Sequence, residues 1–218
     1  SYRKNNKKMS NLLFGGASDI ALKLSKHLKN TDAVSTKKIK NSYRKTFKIK
    51  NYNIKSLKKL NKHITEKYDN VVIFNGYYSS SFLSMFNRKF FLKDFEINFL
   101  IPIEISNFLL QRNILKKGGA IYFISSIAAS EDLIGNAGYS ISKNALNLSA
   151  KILSNEQKNR AIRVNTISLG LVKNNMGLKV KKLTNTKKNY TSINNVIKKI
   201  KVILKSKKIN KKNIKILS

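Results

Sequence analysis

The sequence Asn11-Leu-Leu-Phe-Gly-Gly-Ala-Ser-Asp-Ile-Ala21 joins an apolar run to a glycine turn and then to a helix-like stretch. A short apolar run that ends in paired glycines predicts a buried strand followed by a tight turn. At the start of the following helix, free backbone N–H groups and the positive end of the helix dipole can bind a pyrophosphate. The stretch therefore predicts the first strand–turn–helix unit of a nucleotide-binding α/β fold.

Apolar runs and helix-like patterns alternate along the rest of the chain. The predicted strands lie at residues 11–14, 33–36, 47–49, 71–74, 120–125, 163–168 and 213–217. The predicted helices lie at residues 19–28, 57–64, 95–110, 145–153 and 193–204, and Pro102 should bend the third of them close to Asn98. This alternation predicts an α/β doubly wound parallel sheet of about seven strands, with helices on both faces, in a single domain over residues 9–218.

Ser126, Tyr139 and Lys143 can surround one small carbonyl group, because they fall between a predicted strand and a predicted helix. Tyr139 and Lys143 have Y-x-x-x-K spacing, which places both side chains on one helix face. An ammonium there favours the phenolate and should lower the tyrosine pKa toward neutrality. In a chain with nine tyrosines and abundant lysine, about one or two such pairs arise by chance. A strand-end hydroxyl, a core tyrosine and a surface lysine therefore remain the alternative interpretation.

The context of these residues resembles the short-chain dehydrogenase/reductase family over residues 11–176. Ile124-Ser-Ser126 fits the family's strand that ends in the catalytic serine. Ile162-Arg-Val-Asn-Thr-Ile-Ser-Leu-Gly-Leu-Val-Lys-Asn-Asn-Met176 is similar to I-R-V-N-x-I-x-P-G-x-V-x-T-x-M, with Leu169 in place of the proline and Asn174 in place of the threonine. Glu96-Ile-Asn-Phe-Leu100 resembles the setting of the family's helix-kink asparagine, here Asn98.

The resemblance implies a Rossmann-type fold and a nicotinamide-dependent oxidoreductase with the tetrad Asn98, Ser126, Tyr139 and Lys143. Hydride would pass between NAD(P)H and a carbonyl or alcohol substrate. Tyr139 would exchange the proton and Ser126 would donate a hydrogen bond to the substrate oxygen. Lys143 would hold the nicotinamide ribose and lower the pKa of Tyr139, and Asn98 would position a water on the proton path.

The glycine turn departs from the family's T-G-x-x-x-G-x-G pattern. It keeps Gly15 but has Asp19 and Ala21 at the second and third glycines. The Asp19 carboxylate could instead cap the helix and compete with phosphate for the same N–H groups. Val71-Val-Ile-Phe-Asn-Gly76 resembles the family's strand that ends in N-N-A-G. The residues implied to bind the cofactor are Gly15, Ala17, Ser18, Asp19, Ile20, Thr36, Lys37, Lys38, Asn75, Gly76, Tyr139, Lys143, Gly170, Val172 and Asn174.

The end of the second predicted strand indicates the choice of cofactor. NAD-preferring folds of this kind place a carboxylate there, which binds the adenosine ribose hydroxyls and repels a 2′-phosphate. Val34-Ser-Thr-Lys-Lys38 contains no carboxylate. Thr36 and Lys37 or Lys38 supply a hydroxyl and a cation suited to a phosphate. The sequence therefore favours NADP(H) over NAD(H), although two more lysines in a lysine-rich chain explain the same pattern.

Composition limits the other function classes. The chain has 45 basic and 10 acidic residues, for a net charge of +35, but its lysines are scattered, so no specific nucleic-acid partner is expected. The absence of cysteine excludes thiol catalysis, and the two histidines have no nearby carboxylates, so no metal site is predicted. The longest apolar runs are far shorter than the roughly 18 to 20 residues that span a membrane. We expect a cytoplasmic protein in which residues 1–8 are a disordered basic extension or tag remnant.

The nearest functional likeness is to 3-oxoacyl-carrier-protein reductases and related ketone reductases. A reductase of sugar or surface-polysaccharide biosynthesis, and an inactive binding protein on the same fold, remain alternatives. The loop at residues 79–88 is expected to form part of the substrate wall, and the short region after Met176 predicts a reduced lid. A homodimer or homotetramer is expected through the helices that carry Asn98 and Tyr139, with Phe108, Leu148 and Ile152 facing outward.

Overall fold

The computed structural model of the protein describes residues 9–40, 42–184, 187 and 189–217. In these residues a seven-stranded sheet has the order β3-β2-β1-β4-β5-β6-β7, and every neighbouring pair is parallel. The sheet confirms the predicted doubly wound α/β fold. The expectation for residues 1–8 lies outside the described residues.

The strands follow the predicted apolar runs closely. They are β1 Asn11–Phe14, β2 Thr31–Ser35, β3 Thr46–Lys48, β4 Tyr68–Ile73, β5 Leu115–Ser126, β6 Arg163–Leu169 and β7 Asn213–Ile216. The β1 bounds are those predicted, whereas β5 begins five residues earlier than the predicted residue 120. Its early part, which contains Gly118 and Gly119, is not apolar and pairs only through an irregular register with β4. The apolar pattern therefore located the centre of each strand and missed the first residues of β2, β4 and β5, several of which are buried.

Helices cover both faces of the sheet. They are α1 Asp19–Ser25, α2 Ile54–Asn61, α3 Arg88–Phe95, α4 Ile101–Gln111, α5 Ala137–Glu156, α6 Asn175–Thr184 and α7 Ile193–Lys205. One buried apolar cluster joins α2, α4 and α5 to the sheet, and a second joins α1 and α7 to its other face. None of the described helices is both long and apolar enough to cross a membrane.

The helix that carries Asn98 is interrupted, as the sequence predicts, but by a π-helical turn rather than at Pro102. A π-helical turn, Glu96–Leu100, separates α3 from α4, and Pro102 lies in the first turn of α4, where its missing N–H costs least. The π-turn places Asn98 inside the protein. The expectation that Phe108 faces outward is wrong: it is 2% exposed and packs in the cluster on the α4 face.

The connection from β2 to β3 contains no helix in its described part. Tyr43 instead packs against the α1 and α7 cluster, and its hydroxyl donates to the Gly16 carbonyl at 2.7 Å. At the other end of the connection, Arg44 pairs with the buried Asp32 at 2.5 Å and with Glu66 at 2.9 Å. These contacts let a short basic segment cover a sheet face that a helix would otherwise cover.

Candidate active site

A cavity of ≈ 320 Å³ opens at the carboxyl ends of the central strands. This is the edge of a doubly wound sheet where ligands bind. The predicted site residues that line it are Ser18, Ile20, Asn75, Gly76, Ser126, Tyr139, Lys143, Gly170, Val172 and Asn174. Gly15, Ala17, Asp19, Thr36, Lys37, Lys38 and Asn98 lie outside this lining. The structure therefore brings together most of the catalytic set and the nicotinamide end of the predicted cofactor site.

Lys143 is held deep in the site by the end of β5. It is 3% exposed, and its Nζ donates to the Ile124 carbonyl at 3.0 Å. Burial lowers the pKa of Lys143 to about 7. Its Nζ lies 6.0 Å from the centre of the Tyr139 ring, one helical turn back on the same face of α5. The Y-x-x-x-K spacing thus places both groups in one cavity.

The Tyr139 phenol has a raised pKa, because burial outweighs the hydrogen bond from Ser126, which lowers it. The nearby charge of Asp94 raises it further. The expectation that Lys143 lowers this pKa is wrong. Its ammonium is itself buried and directed at the Ile124 carbonyl. The phenol therefore stays protonated in neutral solution and is a weaker acid than a free phenol.

Ser126 is oriented by the turn that follows β5. Its Oγ accepts a hydrogen bond from the Ala128 N–H at 3.2 Å, inside the 3₁₀ turn Ile127–Ser130. Since that bond uses an acceptor position, the hydroxyl proton remains available for the Tyr139 oxygen or a substrate oxygen. Ser126 and Tyr139 can thus donate hydrogen bonds to the same substrate oxygen atom.

Tyr78 is a site residue that the sequence analysis missed. Its ring packs edge-on against the Tyr139 ring with centroids 5.3 Å apart, and its hydroxyl donates to Asn136 Oδ1 at 2.5 Å. Burial raises the pKa of Tyr78 to about 12. Its position two residues after Gly76 was the signal available in the sequence, since the chain there enters the cavity wall.

Asn98 does not face the cavity but joins three elements behind it. Its Oδ1 accepts from the Tyr77 N–H at 2.9 Å, and its Nδ2 donates to the Tyr77 carbonyl at 3.0 Å. The same Nδ2 donates to Ser142 Oγ on α5 at 3.1 Å. The side chain thus ties the end of β4 and the π-turn to the catalytic helix, and its role on a proton path stays a prediction.

The glycine turn has the geometry of a nucleotide-binding turn. Gly15 has φ +71°, and a Cβ there would lie 3.1 Å from the Phe74 carbonyl carbon, so only glycine fits. Ser18 is the N-cap of α1 and accepts from the Ala21 N–H at 3.3 Å. Asp19 does not cap this helix: its carboxylate accepts from the backbone N–H and the Nδ2 of Asn175, at the start of α6. The expected alternative, in which Asp19 caps the α1 N–H groups, is therefore wrong.

The residues after β4 fit the nicotinamide nucleotide that the sequence predicts. Asn75 Oδ1 is buried and has no hydrogen-bond partner among the described residues. A Cβ at Gly76 would lie 3.7 Å from Met176 Cε and 3.8 Å from Lys143 Nζ, so it would intrude into the cavity between them. An orphaned acceptor beside a strip without side chains is what a planar polar ligand requires.

The far end of the predicted cofactor site is more open. Thr36, Lys37 and Lys38 follow β2 and are exposed, and the Lys37 N–H donates to Ser35 Oγ at 3.0 Å. Their position at the carboxyl end of β2 agrees with contact to an adenosine ribose. These three side chains lie outside the cavity, so their contact with a cofactor stays a prediction.

The roof of the cavity is α6. Met176, Gly177, Val180 and Thr184 line it from this helix, which no sequence pattern had singled out. The loop at residues 79–88 does not line the cavity, contrary to the expected substrate wall. The described residues contain no group of three His, Cys, Asp or Glu side chains that could hold a metal.

Residues 28–202 match the family model described as enoyl-(acyl carrier protein) reductase. No curated protein sequence gives a significant match. A short chain dehydrogenase family protein from Francisella tularensis has a similar structure, with TM-score 0.83 and 18% identity over 96% of this chain and 97% of that one. A short-chain dehydrogenase/reductase from Serratia marcescens gives 0.82 and 16% identity over 95% and 96%. A 4-hydroxyisoleucine dehydrogenase complexed with NADH gives 0.75 and 20% identity over 95% and 96%.

Proposed function

The chain belongs to the short-chain dehydrogenase/reductase family of nicotinamide-dependent oxidoreductases, and on that premise we propose that it reduces a small apolar ketone or 3-oxoacyl compound with NADPH. The observation that carries the proposal is the buried cavity that holds Ser126, Tyr139 and Lys143 beside Asn75 and Gly76. When bound, the nicotinamide supplies the hydride for the carbonyl carbon.

The protein's own groups supply orientation and a proton. Tyr139 protonates the oxygen of the substrate. Its raised pKa keeps the phenol protonated in neutral solution, but it also makes the phenol a weaker acid. Ser126 donates a hydrogen bond to the same oxygen, and this bond strengthens as negative charge develops there. Lys143 is the residue placed to hold the nicotinamide ribose hydroxyls, and Asn75 is placed to bind beside it.

The cavity wall supports an apolar substrate. Away from the catalytic groups it is lined by aliphatic side chains, among them Ile127, Leu133, Ile134, Leu171 and Val180. A polyhydroxylated sugar would leave its hydroxyls without partners along such a wall, at a cost in affinity. A ketone or 3-oxoacyl group is therefore favoured over the sugar alternative, and the intact polar centre argues against an inactive binding protein.

NADPH preference and assembly are parts of the same proposal. Thr36, Lys37 and Lys38 offer a hydroxyl and cations at the end of β2 for a 2′-phosphate. Leu148 and Ile152 are 57% and 50% exposed on the outer face of α5, beside a groove shared with α4, which supports a two-fold symmetric dimer or a tetramer. Light scattering at micromolar concentration and moderate salt tests the assembly, and a monomer would contradict it.

Cofactor-dependent turnover tests the function. NADPH and NADH oxidation are followed with short 3-oxoacyl thioesters, simple ketones and ketosugars, each with wild-type protein and Tyr139→Phe. We expect turnover of the first two classes by wild type alone. Tight NADPH binding without turnover of any carbonyl would instead support the inactive binding protein.

A further inference from the structure

The first turn of the catalytic helix is capped by a residue from another part of the chain. Asn136, the N-cap of α5, makes no side-chain capping bond, because its Oδ1 accepts from the Tyr78 hydroxyl. Ser81 takes over this role. Its carbonyl accepts from the Ala137 N–H at 3.0 Å, and its Oγ accepts from the Gly138 N–H at 3.1 Å. These N–H groups immediately precede Tyr139, so Ser81 fixes the turn that carries the phenol.

Ser81 ends a short segment, residues 78–81, which we call the strap. The strap lies along the start of α5: the Ser81 N–H donates to the Gly135 carbonyl at 2.9 Å, and Ser81 forms a parallel bridge with Asn136. At its other end, Tyr78 lines the cavity and packs against the Tyr139 ring. The strap thus spans from the cavity wall to the backbone that orients Tyr139.

A buried carboxyl group anchors the strap. Asp94, on α3, is fully buried, and its Oδ2 accepts from Ser79 Oγ at 2.5 Å. The same oxygen would lie 2.6 Å from a Cβ at position 138, so it packs directly against the Gly138 backbone. Asp94 Oδ1 has no hydrogen-bond partner among the described residues. One carboxyl group therefore contacts both the strap and the first turn of α5.

We infer that Ser81 and Asp94 are positioning residues for Tyr139. Ser81 caps the helix that carries the phenol. Asp94 bonds Ser79 and so holds the strap, with Ser81, against the start of that helix. The inference rests on the function proposed above. Small displacements matter at this point, because a shift of about 1 Å in a reacting group can lower a rate by roughly 10²-fold. A buried carboxyl with one oxygen left without a hydrogen-bond partner is costly to keep, and holding this geometry gives a reason for it.

Asp94 also acts on Tyr139 through its charge. Burial raises the pKa of Asp94, whereas the bonds from Ser79 and the charges of Lys179 on α6 and Lys93 on α3 lower it. When ionised, Asp94 raises the pKa of Tyr139.

The other groups that face the Tyr139 phenol are Ser126, whose hydrogen bond lowers the pKa of Tyr139, Tyr78 and Lys143. The substitution Asp94→Asn leaves the chemical identity of all three groups unchanged. Removing the Asp94 charge should therefore lower the pKa of Tyr139, which a purely structural role of Asp94 would not do.

The test compares Ser81→Ala, Ser81→Thr, Asp94→Asn and Asp94→Ala with the matched control Ser80→Ala. Ser80 is in the strap, and its hydroxyl donates to the Gly135 carbonyl at 3.1 Å and bonds Tyr78, but it makes no bond to the first N–H groups of α5. We expect kcat to fall about 10-fold in Ser81→Ala and Asp94→Ala, with KM for the ketone changed less, as for a misplaced catalytic group. Ser81→Thr keeps the cap and should restore kcat to within about twofold of wild type.

Asp94→Asn keeps an acceptor for Ser79, so its kcat should stay within about threefold of wild type. Reduction is lost as the pH rises and Tyr139 ionises. In Asp94→Asn this loss should begin at a lower pH than in wild type, because the pKa of Tyr139 is lower there. If Asp94→Ala does not fold, Ser81→Ala and Asp94→Asn decide the question.

Two results would overturn the inference: kcat of Ser81→Ala equal to that of Ser80→Ala, or an unshifted pH profile in Asp94→Asn. Tyr139→Phe separates the inference from the proposed function. If Tyr139→Phe is inactive while Ser81→Ala and Asp94→Asn behave like wild type, only the positioning role fails. If Tyr139→Phe is itself fully active, the proposed function fails as well.

Discussion

The cavity around Tyr139 and Lys143 and the end of β2, which are the catalytic end and the adenosine end of the proposed cofactor site, are built in opposite ways. Lys143 and Asp94 are buried and Tyr139 is half-buried, and hydrogen bonds of β5, Asp94 and the strap hold Lys143 and the first turn of α5 in place. At the end of β2, Lys37 and Lys38 are exposed, and their ammonium groups make no salt bridge within the described residues. A catalytic group must be held rigidly because rate depends on position, whereas a phosphate contact needs only charge within reach.

The largest expected effect is the loss of kcat when the proton donor at the catalytic end is removed. Tyr139→Phe removes the proton donor and should lower kcat by at least about 10²-fold, while the dissociation constant for NADPH stays within about threefold, since the ring and Lys143 remain. Steady-state kinetics and fluorescence titration measure the two quantities. The control is Tyr122→Phe, because Tyr122 is buried away from the cavity and its hydroxyl bonds the Ile203 carbonyl in α7 and Arg163. A near-normal kcat in Tyr139→Phe would show that the catalytic assignment is wrong.

Ser126→Ala tests a second group at the catalytic end, because it removes one hydrogen bond to the developing oxyanion. We expect kcat to fall by about 10²-fold or somewhat less, the low end for a lost oxyanion donor, with KM little changed. Ser130→Ala is the matched control, because this exposed hydroxyl follows the same strand and bonds only the Ile127 carbonyl. Equal kinetics of the two variants would remove Ser126 from the mechanism.

The adenosine end should respond in affinity alone. Lys37→Glu combined with Lys38→Glu should weaken NADPH binding about 10-fold and leave NADH binding nearly unchanged, because only NADPH carries the 2′-phosphate. Titration at moderate salt measures both dissociation constants. Lys26→Glu with Lys29→Glu makes the same change in net charge near the other end of α1. Equal affinity of the wild type for NADPH and NADH would overturn the preference.

The smallest expected effect is on stability at the catalytic end. The pKa of Lys143 is about 7, below its ordinary 10.5. The buried ammonium therefore destabilises the fold below pH 7. This cost falls as the pH rises from about 7 to about 10, because the folded protein has then lost the proton while the unfolded chain still holds it. Lys143→Met should raise Tm by a few degrees at pH 6, about 1 kcal/mol, and by less at pH 9.

Calorimetry at both pH values gives these differences. Lys151→Met, on the exposed side of the same helix, should leave Tm unchanged at both. A Lys143→Met protein that is less stable than wild type at pH 6 would contradict the cost assigned to the buried ammonium.

The same contrast explains what the sequence could predict. β1 was located at its observed bounds because an apolar run in a buried parallel strand has little freedom. The helix-like pattern covered residues 145–153, and the Y-x-x-x-K spacing placed Tyr139 and Lys143 on a helix, but no pattern gave the observed start of α5, which spans Ala137–Glu156. Its first turns contain glycine, serine and tyrosine, which favour helix weakly, and Ser81 holds them from 55 residues or more away. The cap by Ser81 and the anchor at Asp94 are tertiary contacts that leave no local pattern.

The central claim is that this protein transfers hydride to a carbonyl while Tyr139 supplies the proton. Single turnover with C4-deuterated NADPH and the best ketone of the panel, followed by mass spectrometry, tests it directly. We expect one deuterium on the carbinol carbon of the product with wild type, and transfer at least about 10²-fold slower with Tyr139→Phe although it binds the cofactor. Cofactor binding by wild type without deuterium transfer to any carbonyl in the panel, or equal transfer by Tyr139→Phe, would contradict the account.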